Sequence, residues 1–372
     1  MEIERRAFLK CAGAAALALI GPTIPRALAA DGRVVYLSAC QMVDGRYAVA
    51  EFDPDGMVIR TIALPDRGHG FAITSDRRRA VAFARHPRTF AVAFEVGGRD
   101  EPVVFASPPD RHFHGHGVFV SNDRLLLATE NDYDNARGIV GVYDVAAGFN
   151  RIGEIDTAGI GPHELVMMRD GRTAAIANGG IDTHPAAGDA KLNLPTMDPS
   201  LVFLDTENGD IIAQHRLEQS LHQLSIRHLT VDAAGSVWFG CQYEGAATDQ
   251  PPLVGFASAD AGLTMISSEP PELRAALRNY VGSVAATADG NVVAISSPRG
   301  GRIMFFDLAG NVLGVETLAD GCGLAPFGDG GIVATSGEGA IVAAGPTTVT
   351  ASVATADVAF DNHVTMGRGD GA

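Results

Sequence analysis

The strongest constraint on this chain is internal repetition. A histidine or a small residue opens a short apolar strand, a polar turn follows, and a second apolar strand runs back. GHGFAITSDRRRAVAFAR from Gly68, GHGVFVSNDRLLLATEND from Gly115 and PHELVMMRDGRTAAIANGG from Pro162 carry the pattern most clearly. RHLTVDAAGSVWFGCQYEG from Arg227, GSVAATADGNVVAISSPRG from Gly282 and CGLAPFGDGGIVATSGEG from Cys322 repeat it with more drift. Two further strand-like runs follow each copy, such as GIVGVYDV and NRIGEID after the second. The first-strand residues His69, His116, His163, His228, Ser283 and Gly323 succeed one another at intervals of about 40 to 65 residues, a period typical of propeller blades. One more interval of about 40 residues lands on His363, with too little chain left for a whole unit. The missing strands stand at the other end of the chain: RVVYLSAC from Arg33, YAVAEF from Tyr47 and MVIRTIAL from Met57.

These units predict an all-β fold, a seven-bladed β-propeller of four antiparallel strands per blade. The last blade is closed by both termini, its innermost strand from the C-terminus and three strands from the N-terminus. Closure of this kind protects the sheet edges that an open array would leave. An irregular pair of β-sandwiches is the competing arrangement. Of the 372 residues 46% are hydrophobic, enough to bury a large core.

The propeller also sorts the polar residues. Each innermost strand starts beside the central channel, and the loop between the second and third strands opens on the same face. That face collects His69, His116, His163, His228 and His363 from blades 1, 2, 3, 4 and 7, neighbours around the ring. Neutral imidazole is a common ligand of iron, copper and zinc. The five histidines are therefore candidate ligands of a transition-metal ion at the channel mouth. Arg85, Glu130, Asn131, Glu164, Asn178, Gln242, Glu244 and Arg299 fall on the same face. They are expected to orient the ligands or to contact a substrate. His112 and His114 approach from HFHGHG, and His86 follows Arg85. In the competing role the histidines hydrogen-bond across blades and hold strands in register. Two segments, 179–199 in blade 3 and a short helix over 269–279, are placed to cover the mouth or to decorate its rim. The chain has no GxSxG elbow, phosphate loop, dinucleotide fingerprint or CxxCH motif.

Charge narrows the partners. The net charge is −16, from 28 basic and 44 acidic residues, which argues against nucleic acid and against an anionic membrane face. Lys10 and Lys191 are the only lysines. At the N-terminus, Arg5-Arg6 precedes Phe8-Leu9-Lys10, an apolar run from Cys11 to Gly21, and Ala27-Leu28-Ala29 before Ala30. This reads as a cleavable signal over 1–29 of the twin-arginine type, with a Sec signal as the alternative. The apolar run is too short to span a bilayer. The expected mature protein, 30–372, is a single propeller domain in the periplasm without stable membrane insertion. It keeps Cys40, Cys241 and Cys322, and Cys40 and Cys322 are candidates for pairing or for metal ligation.

RGHGFAIT, GHGVFVS, TENDYD, GIGPHE, ANGGIDTHP, LNLPTMDPSL, LSIRHL, QYEG, GSVA, SPRGG and DNH together resemble a family of twin-arginine-exported bacterial propellers of uncharacterised function. The likeness covers nearly the whole mature chain. Phe360 stands where the usual member has Trp before Asp-Asn-His. The resemblance implies companionship with imelysin-type iron-regulated proteins and dihaem-peroxidase-like proteins, and hence a part in periplasmic iron or other metal handling. It implies no activity.

Three functions follow as expectations. The first is a periplasmic propeller that binds iron or copper through the histidine ring for uptake or handling. The second is a propeller hydrolase or lactonase, with a metal activating water and Glu130, Asn131, Asn178 and Glu244 as calcium ligands. The third is a metal-free scaffold that binds a partner protein.

Overall fold

The structure, a computed structural model, describes residues 33–188, 190–347, 349–354 and 357–369; the signal expected over 1–29 lies outside them. The described residues form seven antiparallel sheets. Six follow the chain strand by strand, from Gly68–Ile73 through Val103–Ala106 in blade 1 to Gly321–Phe327 through Val349–Ala354 in blade 6. In blade 7, Val358–Phe360 and Thr365–Gly369 both pair with Arg33–Met42, which continues to Tyr47–Phe52 and Val58–Leu64. The chain is thus a seven-bladed propeller closed by both termini.

Burial explains why the strands read differently along each blade. A second strand is covered on both faces by neighbouring blades, so Leu125–Asp132 is buried almost throughout and reads as an apolar run. The outermost strand Asn150–Asp156 alternates between partly buried and exposed residues, the period of two of a half-solvated strand. The core is accordingly a ring of inter-blade clusters. Phe83 and Ala91 of blade 1 meet Phe113, Leu126 and Tyr143 of blade 2. Leu127 and Val140 meet Leu165, Ile176 and Val202 at the next interface. The largest cluster centres on the fully buried Trp238 and joins blades 3, 4 and 5. Tyr36, Phe52 and Phe360 pack with Ala325 and Val333 where blade 7 meets blade 6, and Leu37 and Val49 pack with Ala80 and Val92 where it meets blade 1.

Aspartates fix the hairpins on the far face. Asp232 accepts backbone N–H of Ser236 at 2.9 Å and the Trp238 indole N–H at 2.9 Å. Asp307 accepts from Ala309 and Asn311, and Asp289 from Asn291, the self-bonded turn that favours Asp at these positions.

Closure concentrates stability in one strand pairing. A chain cut after residue 357 leaves Arg33–Met42 as an open edge and exposes Tyr36, Phe52 and Cys40. Its expected behaviour is loss of the single cooperative unfolding transition, read by circular dichroism against temperature. Retention of the parental transition would contradict this closure.

Candidate metal centre

The channel histidines owe their position to interruptions in the innermost strands. In blade 1 the pairing passes from Gly68↔Ala84 to Phe71↔Ala82, so one extra residue sits around His69. Blade 3 does the same between Pro162 and Glu164, at His163. Blade 4 does so between Ile226 and His228. Blades 2 and 7 insert two, between Phe113 and Gly117 and between Phe360 and Thr365, which brackets His116 and His363. A β-bulge bends the strand and re-aims a side chain. Blade 5 has an unbroken register, and there Ser283 replaces histidine.

Glycine lets the imidazoles close up. Gly115 has φ +105°, and a Cβ there would lie 2.5 Å from Cδ2 of His69. A Cβ on Gly70 would lie 2.6 Å from the Gly115 carbonyl oxygen and 2.7 Å from Nδ1 of His116. The repeated Gly-His-Gly therefore has a packing reason.

Five imidazoles from five blades converge. Ring centroids lie 5.0 Å apart for His69–His116, 4.6 Å for His69–His363 and 4.5 Å for His116–His363. They lie 4.8 Å apart for His163–His228 and 4.8 Å for His228–His363. Two trios can each offer nitrogens within 4.8 Å of one another: His69, His116, His363, and His116, His163, His228. Ligand nitrogens about 2.0–2.1 Å from a tetrahedral ion stand about 3.3 Å apart, so a trio at the 4.8 Å limit would draw in by up to about 1.5 Å.

Carboxylates orient part of the set. Glu164 reaches Nδ1 of His228 at 3.3 Å and Nδ1 of His116 at 3.6 Å. Asp361 lies 3.4 Å from Nδ1 of His69 and accepts Nε–H of Arg67 at 2.5 Å. Such partners fix the tautomer and turn the other nitrogen inward. The inward atoms are telling. Nε2 of His116, Nε2 of His363 and Nδ1 of His163 are buried without a hydrogen-bond partner among the described residues.

Burial controls the charges. It lowers the pKa of His69 against the opposing pull of Asp361, and drives those of His116, His163, His228 and His363 well below the ordinary imidazole value; repulsion from a neighbouring imidazole once protonated, and from Arg227 or Arg85 at His163, His228 and His363, acts in the same direction. All five are neutral at pH 7 and have a lone pair to give. Burial pushes Glu164 up to about 8. Burial would raise Asp361 as well, but the hydrogen bond from His69 and the charges of Arg85 and Arg67 outweigh it and hold the carboxyl well below its usual range.

Above the cluster lies a cavity of 420 Å³. His69, His163 and His228 face it, together with Arg85, Gln242 and Arg299. Of the 179–199 segment, Gly179, Ile181, Thr183, Gly188 and Lys191 contribute to its wall. The helix expected over 269–279 forms at Pro271–Ala276 but does not line it; Tyr280, just beyond, does.

Other candidates have different employment. Glu130 is buried in blade 2, where Tyr143 Oη donates to it and Arg151 Nη2 donates at 2.9 Å. Asn178 is likewise buried and donates to the Thr157 carbonyl at 2.9 Å and to Ser200 at 3.2 Å. Asn131 donates to the Thr183 carbonyl and contacts His112. Glu244 pairs with Lys191 and Arg227 at the cavity edge. Glu130 and Asn178 thus stand apart from the imidazoles, because alternation along a second strand carries side chains between blades as well as toward the channel. Cys40, Cys241 and Cys322 are free and buried, with thiol pKa values raised by burial, and none joins either trio. A second imidazole group, His86, His112 and His114, packs beside the cavity with centroids 4.4 to 5.3 Å apart.

Residues that composition and spacing did not single out complete the site. Asp361 and Asn362 stand beside His363 in the bulge of blade 7, and Arg227 beside His228 in that of blade 4. A regular strand would send neighbours to opposite faces, so only the bulges give Arg227 and His228 a common cavity.

Fold and site define a β-propeller with a buried polyhistidine centre under a cationic cavity. The chain matches the family described as "Protein of unknown function (DUF1513)" over residues 62–367 and belongs to it. No curated protein matches it. Among solved structures it is similar to Kuenenia stuttgartiensis hydrazine synthase, with TM-score 0.59 and 12% identity over 91% of this chain and 99% of that one. It is also similar to a functionally unknown protein from Desulfotomaculum acetoxidans, with TM-score 0.60 and 12% identity over 90% and 99%. At that identity the likeness shows the fold alone.

Two outcomes follow. Glu130→Ala leaves the buried Tyr143 hydroxyl without its acceptor and Arg151 with Glu154 as its remaining carboxylate, and is expected to cost about 1–3 kcal/mol in denaturant unfolding, while bound metal per folded chain stays unchanged. Metal loss would return Glu130 to the site. In metal-free protein, acid should destabilise the fold. Unfolded imidazoles take up protons below about pH 6.5, whereas the buried ones resist, so the unfolded state binds more protons as pH falls. His86 and His112, lowered to about 3 and about 4, act in the same sense. Glu164 acts oppositely: its contribution is complete below about pH 4.5 and is lost as pH rises toward about 8. The histidines outnumber it, so the thermal midpoint should drop between pH 7 and pH 5; a flat profile would contradict their burial as neutral rings.

Proposed function

We propose that this protein binds a transition-metal ion, iron or copper, at the five-histidine centre and serves in periplasmic metal uptake or handling. The observation that carries the reading is the set of three buried imidazole nitrogens, on His116, His163 and His363, left without partners among the described residues, beside rings that Glu164 and Asp361 approach. In a purely structural role such atoms would be hydrogen-bonded, since each unsatisfied buried group costs about 1–3 kcal/mol. An ion turns that cost into coordination. An all-imidazole set suits copper, iron and zinc and fits calcium poorly, which disfavours the calcium-hydrolase alternative. The employment of Glu130, Asn178 and Glu244 in other contacts weakens it further.

The ion is the cofactor or cargo of this reading. The paired arginines and signal-like segment at the N-terminus support export to the periplasm by the twin-arginine route. Imelysin-like and dihaem-peroxidase-like proteins are the partners proposed for delivery or receipt. No helix among the described residues is long and apolar enough to cross a membrane.

Elemental analysis of protein purified from the periplasm without chelators or a histidine tag tests the reading. About one equivalent of iron or copper is expected in the parent, and its loss in a folded His116→Ala/His163→Ala variant. Absence of metal in the parent, even after titration with iron, copper and zinc, would overturn the proposal and favour the scaffold.

A further inference from the structure

The cavity above the imidazoles has the wrong charge for a protein this acidic. Net charge is −16, yet Arg85, Lys191, Arg227 and Arg299 line the cavity and, among the described residues, no carboxylate does. Two of these cations are held by acids behind the wall: Lys191 by Glu244, and Arg85 by Asp361 at 3.4 Å. The other two are under-used. Arg227 donates to Ser225 Oγ at 3.2 Å and reaches Glu244 only at 3.5 Å. Arg299 lies with its guanidinium carbon 4.7 Å over the Tyr280 ring, and that ring is fixed by Asn362 donating to its hydroxyl at 2.8 Å. Stacking orients a guanidinium while leaving its donors free.

Guanidinium forks match carboxylates in geometry as well as charge. The cavity, 420 Å³, falls in the size range of small-ligand sites. Its floor is three of the five imidazoles, His69, His163 and His228, while His116 and His363 lie outside its lining. The charge of Arg227 acts on both His163 and His228, and that of Arg85 on His228, so the cationic wall and the metal-binding floor share one electrostatic environment.

We propose that this cavity binds a small polycarboxylate chelator, gripped by Arg227 and Arg299, whose remaining carboxylate oxygens complete the coordination of the ion held by the histidines. This rests on the metal reading of the imidazole centre and adds to it the class of compound with which the ion enters or leaves. A chelator anchored at both ends lets metal change hands without passing through water as a free ion.

The test uses the full mature chain and citrate as probe. Calorimetric titration of metal-free and Cu²⁺-loaded protein with citrate is paired with copper retained after dialysis. Citrate should bind the metal-free protein, bind the copper form about tenfold more tightly or better, and leave the copper in place. Arg299→Gln, at an exposed position, should weaken citrate by about tenfold without unfolding the chain or lowering copper retention. Arg227→Gln should do the same, with folding checked by circular dichroism. Inorganic phosphate, a single anionic centre without separate carboxylates for the arginines and the ion, should bind at least about tenfold more weakly.

Several results would overturn the proposal. These are no citrate binding, citrate binding unaffected by copper or by Arg299→Gln, phosphate binding as tight as citrate, or copper stripped by citrate. Failure to take up copper, and likewise iron and zinc, before citrate is added would instead sink the metal reading itself, and the two failures are read in separate measurements.

Discussion

Pairing of the C-terminal segment with Arg33–Met42 supports the rest of the molecule. It supplies the innermost strand of blade 7, turns an open array into a ring and covers both faces of that strand with neighbouring blades. The same segment is interrupted between Phe360 and Thr365, and the interruption delivers Asp361, Asn362 and His363 to the channel. Ser38 Oγ donates to the His363 carbonyl at 2.8 Å, which ties the first strand to the last at the centre itself. Closure of the fold and completion of the imidazole cluster are therefore one event, and a chain that has not closed has neither.

The centre is a balance of burial and charge. Taking imidazoles out of water favours their neutral form, which is the form that ligates metal. Taking a carboxylate out of water favours its protonated form unless cations compensate, and the two acids here differ on that point. His69, Arg85 and Arg67 keep Asp361 ionised, whereas Glu164 has no such cationic partner among the described residues and is pushed up to about 8. A divalent ion between His116 and His228 would supply the missing charge beside Glu164, so metal binding and loss of the Glu164 proton should be linked. The arginines above would repel a free cation, in keeping with the proposal that metal arrives in the company of an anion.

Much of this was legible in the sequence. The period of the repeats, the opening histidines and the split seventh unit were enough to place His69, His116, His163, His228 and His363 around one channel. Gly-His-Gly was visible but its reason was not: only the approach of Gly115 to His69, and of Gly70 to Gly115, shows why a side chain there is excluded. Glu130 and Asn178 illustrate the limit from the other side. Both sit at second-strand exits, as the repeat places them, yet Tyr143 and Arg151 claim the first and Thr157 and Ser200 the second. Those partners lie on other strands and follow from how blades pack, which no local pattern encodes.

The sequence by itself determined the number of blades, the strand order and the set of histidines, because these follow from periodicity and alternation along the chain. Tertiary structure alone decided which ring nitrogens lack a partner among the described residues, which carboxylates approach the rings, and that Arg227 and Arg299 line the same cavity as His69, His163 and His228. Bulges shift the register by one or two residues, and a shift of one residue reverses which way a strand side chain faces. Five such shifts, from strands far apart in the chain and brought together by ring closure, made scattered histidines into a single centre.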